Sequence, residues 1–219
     1  MKPIILHEDD HILVCVKPHG LAVQTKRIAE PDLVSILKNH LHNSRTQDRE
    51  PYLALIHRLD QPVTGVLVLA KTPLAAKELN KQLTSSGFGK YYQARLTARP
   101  PKDHDTLTCY MVREPRTNLS RVCSPDTPNA KRAVLHYQVI DEQDGLTTVT
   151  INLETGRHHQ IRVQMADLGC PIAGDTKYNP APYPQGHHSP LALCACKLEF
   201  KHPKTGKPLT FSLPVEKME

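Results

Sequence analysis

HRLDQPVTGVLVLAK, residues 57–71, sets one acid, Asp60, in a polar loop between two apolar runs. Residues 53–56 and 65–70 read as short buried strands, because each is an apolar run too brief for a helix. The loop between them carries His57, Arg58, Asp60, Gln61, Pro62 and Thr64. Such a loop hangs reactive groups on a rigid frame. Alternate side chains of an extended segment point the same way, so Arg58 and Asp60 are expected to project together. A surface ion pair at a turn would explain this fragment equally well.

Working outward, residues 12–16 read as a strand ended by the Lys17-Pro18 turn and Gly20. Residues 31–41 predict a helix with Leu33, Leu37 and Leu41 on one face. Residues 73–83 predict another, with Thr72 as its cap, Pro73 at the first position and Gly87 past its end. Strands follow near 91–98, 106–112, 132–140 and 146–153. A helix is expected over about 158–168, started by Thr155 and Gly156 and ended by Gly169, with strands at 191–200 and 208–213. Residues 115–129 read as a loop or a frayed hairpin, and 176–190 as a further loop. Adjacent strands, several alternating apolar with polar, predict an α+β fold with a mixed, mainly antiparallel sheet flanked by helices.

The 219 residues suffice for a real core, as one large domain or two joined lobes. No apolar run is long enough to cross a membrane, and the opening MKPIILHEDDHIL has acids where a signal peptide needs an apolar core. The six cysteines, at 15, 109, 123, 170, 194 and 196, form no CxxC pair and read as reduced, cytoplasmic filler residues. Zinc held by Cys194, Cys196 and the His187–His188 pair would not fit a usual ligand spacing, so no metal is expected. A net charge of +6 suits a polyanionic partner. Nothing demands a second subunit, so a monomer is the default.

Three more segments look chemical. VKPHGLAVQ, residues 16–24, is a strand running into a Lys-Pro-x-Gly turn. GKYYQARL, residues 89–96, puts Tyr91 and Tyr92 on opposite faces of a strand, one for the core and one for a site. ETGRHHQIRVQMADLGCPIAGDTKY, residues 154–178, sets Arg162 among apolar helix residues. A half-buried guanidinium needs a carboxylate, and Asp60 is the expected partner, while Asp175 is expected to anchor a turn.

HRLD with its Thr-Gly step, Lys-x-Tyr-x-Ala, Thr-Gly-Arg-x-His-Gln-Ile-Arg and Gly-x-Pro-Ile-x-Gly-Asp-x-x-Tyr together resemble the RluA-type pseudouridine synthases, over nearly the whole chain. The resemblance implies a long, bent sheet in two halves around an RNA cleft, as a single catalytic domain spanning 1–219 without a separate N-terminal RNA-binding domain. It implies isomerisation of particular uridines in ribosomal or transfer RNA, without cofactor. By motif, Asp60 matches the essential aspartate, Tyr92 the active-site tyrosine and Arg162 the arginine that pairs with the aspartate. Arg58 matches a residue that enters the RNA beside the extruded nucleotide. Relatives usually have Thr-Ser-Gly where this chain has Val63-Thr64-Gly65, Asn where it has Val16, and His where it has Gln164 and Cys194.

The residue types suit that reaction. A stacked uridine must be turned outward before its glycosidic bond is accessible. Lys17, Arg58, Lys71, Lys90 and Arg157 are available for phosphates, and Tyr92 can stack on the everted ring. Cleaving C1′–N1 leaves an electron-deficient sugar, which a carboxylate can trap, stabilise or deprotonate. A glycosidase would need a second working carboxylate near Asp60. A catalytically inactive RNA-binding protein would need neither Asp60, Tyr92 nor Arg162.

Overall fold

The computed structural model describes residues 2–25, 30–43, 50–85, 87–181 and 189–214. Among them the chain forms, in order, β1 (Ile4–Glu8), β2 (Ile12–Lys17), α1 (Leu33–Asn43), β3 (Ala54–Leu55), β4 (Thr64–Ala70), α2 (Pro73–Thr84), β5 (Gly89–Leu96), β6 (His104–Glu114), β7 (Leu119–Cys123), β8 (Lys131–Gln143), β9 (Leu146–Leu153), α3 (Gln160–Asp167), β10 (Leu193–Lys201) and β11 (Pro208–Ser212). It divides into two compact units, one from Met1–Gly89 with Ala195–Lys217 and the other from Lys90–Cys194. The pairing is mostly antiparallel, as the α+β reading expects.

In the first unit the strands run β1-β2-β4-β10-β11, with β3 also on β4. β4 is apolar from Gly65 to Ala70 because both its faces are covered there. Val66, Val68 and Ala70 join Ile12, Val14, Leu79, Phe88 and Phe200 in one cluster. Leu67 and Leu69, on the opposite face, are equally buried. α2 begins where the sequence placed it, with Ala75 N–H donating to the Thr72 hydroxyl at 3.1 Å and Pro73 following the cap. α1 starts at Leu33 instead of 31, because Asp32 caps it. Ser35 N–H donates to Asp32 Oδ1 at 2.7 Å, and Asp32 N–H donates to Ser35 Oγ at 3.1 Å. β1 was not foreseen, since its alternation leaves Ile4 and Leu6 exposed on an edge strand.

In the second unit the strands run β5-β9-β8-β6-β7. β8 and β9 form a hairpin closed by Asp144 and Gly145, whose φ of 54° and 74° match the two left-handed positions of an Asp-Gly turn. Residues 115–129 contain more order than expected, because β7 pairs with β6 from Glu114↔Leu119 to Tyr110↔Cys123. α3 packs on this sheet through Val163, against Met111 of β6 and Ala133 of β8. It begins at Gln160, later than expected, because His159 adopts φ 55° and ψ 24°, which an α-helix cannot continue through. Among the described residues no helix is long and apolar enough to cross a membrane. Residues 182–188 of the segment 176–190, with His187 and His188 of the zinc reading, lie outside the described residues. Among the described residues no group of three His, Cys, Asp or Glu side chains could hold a metal.

Candidate active site

Asp60 sits in a loop clamped at both ends and underneath. Leu59 and Val63 are buried in the core, and Val63 N–H donates to Asp60 O at 3.0 Å, closing a turn around Gln61 and Pro62. The β2 turn holds this loop from below. Thr64 Oγ1 donates to Lys17 O at 2.8 Å, and Gln61 Nε2 donates to Gly20 O at 3.0 Å. Asp60 itself is half-buried, while Arg58 is exposed. The Thr-Gly step has a steric cause: Gly65 has φ 137°, and a Cβ there would fall on the backbone of Ala195.

Lys17 occupies the foot of this loop and is fully buried. Its ammonium donates to Pro18 O at 2.9 Å, Leu21 O at 2.8 Å and Gln61 O at 2.9 Å, which uses all three of its protons. The expectation that Lys17 grips a phosphate is therefore corrected, since it has neither exposed surface nor a spare donor. Burial pushes its pKa down to about 8, against the opposing pull of the Asp60 carboxylate nearby. That same attraction favours the ionised form of Asp60. Lys71 is likewise engaged, bonded to Glu8 at 2.7 Å.

In the second unit Tyr92 lies on β5 opposite Ile151 and is 8% exposed, while Tyr91 faces the other way, half-buried. Arg162 projects from α3 and is 4% exposed. Within this unit it has a carboxylate that the sequence reading did not give it. Nε donates to Asp175 Oδ2 at 2.8 Å and a terminal amino group donates to Asp175 Oδ1 at 2.6 Å. Asp175 also anchors the expected turn, accepting from Lys177 N–H at 2.9 Å and Tyr178 N–H at 3.2 Å. The spacing that reveals this dual use is Asp-x-x-Tyr, because Tyr178 returns its ring to Arg162 at 5.2 Å.

His159 and Tyr178 complete this cluster, and the sequence reading assigned neither a role. Ser120 N–H donates to Tyr178 Oη at 2.9 Å, and that hydroxyl lies 2.7 Å from His159 Nδ1. Burial, reinforced by Arg162 and His158, holds His159 neutral down to about pH 3. Gln160 ties the preceding loop to the helix. Its Oε1 accepts from Thr155 Oγ1 at 2.7 Å and Arg157 N–H at 3.0 Å, and its Nε2 donates to Val134 O at 3.0 Å. Gln164, which replaces the more usual His, donates to Leu107 O at 3.1 Å and receives a bond from Gln160. Asp60, Arg58 and Lys17 thus gather in the first unit, and Tyr92, Arg157 and Arg162 belong to the second.

Comparison with known proteins gives a consistent result. Residues 11–167 match the family described as RNA pseudouridylate synthase. The chain is 34% identical to ribosomal large subunit pseudouridine synthase D of Nitrosomonas europaea over 96% of its own length and 61% of that protein's. It is 34% identical to dual-specificity RNA pseudouridine synthase RluA of Yersinia pestis, covering 97% of this chain and 99% of that one. Among solved structures, human RNA pseudouridylate synthase domain containing 4 superposes with a TM-score of 0.80 at 26% identity, covering 98% of this chain and 89% of that one. The chain spans 61% and 65% of the length of two of the large subunit pseudouridine synthases D that it matches, those of Nitrosomonas europaea and Xanthomonas campestris.

Proposed function

The chain belongs to the RNA pseudouridylate synthase family, and from that premise we propose that it converts particular uridines of structured RNA into pseudouridine, with Asp60 as the essential carboxylate. The observation that carries the proposal is the setting of Asp60, a half-buried acid on a loop clamped by Lys17, whose buried charge favours the ionised carboxylate. A carboxylate set near a buried cation on a rigid loop suits a reaction in which positive charge develops on a ribose.

In this reading the target uridine leaves the stack, with Arg58 entering the RNA beside it, and its ring stacks against Tyr92. The C1′–N1 bond breaks, and Asp60 acts on the resulting electron-deficient sugar as a nucleophile or as a base. The uracil turns, C5 bonds to C1′ and the C5 proton is lost as N1 gains one. Product and substrate are isomers, so the reaction needs no redox partner and no group donor. The pairing of Asp60 with Arg162 belongs to the same proposal and rests on the family resemblance. Ribosomal and transfer RNA are both candidate substrates, because one similar protein is named for the large ribosomal subunit and another for dual specificity. A cytoplasmic monomer working without cofactor completes the proposal.

The test is tritium release from RNA labelled at C5 of uridine. The parent chain releases tritium, and Asp60→Ala releases none while binding the same RNA within about threefold, since one acid contributes little to a phosphate-dominated affinity. Full release by Asp60→Ala would overturn the assignment.

A further inference from the structure

Of the basic residues that sequence alone offers to RNA, two are already consumed by the fold: Lys17 by three carbonyls and Lys71 by Glu8. Lys90 is different. It is 8% exposed, on the same face of β5 as Tyr92. Its ammonium makes no hydrogen bond or ion pair with any described residue. Yet among the described residues no buried side-chain nitrogen or oxygen lacks a partner. The tip of Lys90 therefore reaches the surface, at the end of a stem that is enclosed.

It emerges beneath Gly156. A Cβ at that exposed glycine would stand 3.6 Å from Lys90 Nζ, so any larger residue would roof the ammonium over. The next residue, Arg157, supplies the charge that acts on Lys90, and it has the same sign. Arg157 is fixed in place, with Nε donating to Arg132 O at 2.8 Å and its backbone N–H to Gln160. Its two terminal amino groups have no acceptor among the described residues. The nearby acid, Glu154, faces Arg132 at 3.6 Å and His136 at 3.4 Å instead.

A lysine that merely covers apolar surface with its stem would ordinarily hold its head in open water, away from another cation. The Lys90 ammonium beneath Gly156 and the charge of the next residue, Arg157, repel each other, and a bound anion would relieve that repulsion. An ammonium beside the fork of a guanidinium matches the several oxygens of a phosphate. We propose that Lys90 and Arg157, meeting at Gly156, form a subsite for one phosphate of the RNA backbone. The subsite rests on the RNA substrate argued above. Burial and the Arg157 charge both lower the pKa of Lys90 in the empty protein, so a bound phosphate would restore it.

The experiment measures RNA affinity of the whole chain across salt, with bulk transfer RNA and fragmented ribosomal RNA as probes. Lys90→Gln and Arg157→Gln each weaken binding about five- to tenfold near 0.1 M salt and lower the slope of log Kd against log salt by about one. Gly156→Val keeps both charges and covers the ammonium, so it weakens binding likewise and reads the subsite even where Lys90→Gln folds poorly. Lys77→Gln, an exposed change on α2, controls for net charge. Parental slope and affinity in all three subsite variants, or losses no larger than that of Lys77→Gln, would overturn the subsite. Unchanged RNA binding, with thermal protection by inorganic phosphate that Lys90→Gln abolishes, would reassign it to free phosphate and overturn the RNA subsite. Tritium release by the parent chain is scored separately. Release together with parental slopes in the variants defeats the subsite and leaves the activity standing. No release together with lowered slopes defeats the activity and supports the subsite.

Discussion

Replacing Lys17 with methionine sets two opposed contributions against each other at the foot of the Asp60 loop. The ammonium donates to three carbonyls at 2.8–2.9 Å. Bonds from a charged donor contribute about 1.5–3 kcal/mol each, so their loss removes about 4–9 kcal/mol. Against them stands the burial of a charge. A pKa lowered from 10.5 to about 8 corresponds to about 3 kcal/mol, at 1.36 kcal/mol per unit. Lys17→Met is therefore less stable than the parent at neutral pH by about 1–6 kcal/mol, measured by urea unfolding. The pH dependence is the sharper reading. Between the folded value near 8 and the unfolded value near 10.5, the unfolded chain holds a proton that the folded chain has lost. Parental stability from this source therefore rises with pH across that window. Methionine binds no proton, so the parent-minus-variant difference climbs by about 3 kcal/mol over the same range. A flat or falling difference would refute the claim that Lys17 is a buried charge, and a variant more stable than the parent at neutral pH would refute the carbonyl clamp.

Two further outcomes are expected in the second unit. Asp175→Asn removes the carboxylate that Arg162 binds through two hydrogen bonds and destabilises the chain by about 3–5 kcal/mol. The double change Arg162→Met with Asp175→Leu costs less, and urea unfolding that ranks the double change below the single one would contradict this. His159 titrates near 3 when folded and 6.5 when unfolded, so its contribution is complete above pH 6.5 and is lost as pH falls toward 3. His159→Asn tolerates the left-handed backbone and lacks the titration. The parent-minus-variant stability therefore falls by about 4–5 kcal/mol between those pH values, and an unchanged difference would show that His159 is not held neutral.

Periodicity sufficed where burial was two-sided or capping was local. β4 is apolar from Gly65 to Ala70 because both faces are covered, and α2 carries its Thr72 cap and Pro73 in adjacent letters. It failed where tertiary pairing supplied the order. β1 exposes Ile4 and Leu6, and β7, Leu-Ser-Arg-Val-Cys, alternates too weakly to be separated from the polar loop around it. The late start of α3 was invisible because it depends on a backbone angle at His159, and nothing in Arg-His-His-Gln demands a left-handed residue. Arg162 has a partner within its own unit that the sequence reading gave only a turn-anchoring role, for a related reason. A guanidinium among apolar residues announces a carboxylate, but Asp60 and Asp175 satisfy that demand equally on paper. The turn that brings residue 175 back onto α3 makes Asp175 a bidentate partner, and no spacing in the sequence announces that turn's path.

The same limit separates the two buried lysines. Lys17 and Lys90 each sit near the end of a strand, and each is more than nine-tenths buried. What divides them is the supply of acceptors. The chain after Lys17 turns back on itself at Gly20, with φ 75°, and presents the carbonyls of Pro18 and Leu21 to the ammonium, while the Asp60 loop adds that of Gln61. The chain around Lys90 presents a glycine with no side chain and an arginine of the same charge. A lysine whose three protons are all used by the backbone holds a loop together. One whose protons meet only another cation is complete when an anion arrives, and the sign of the stability change on removing each lysine follows from that difference.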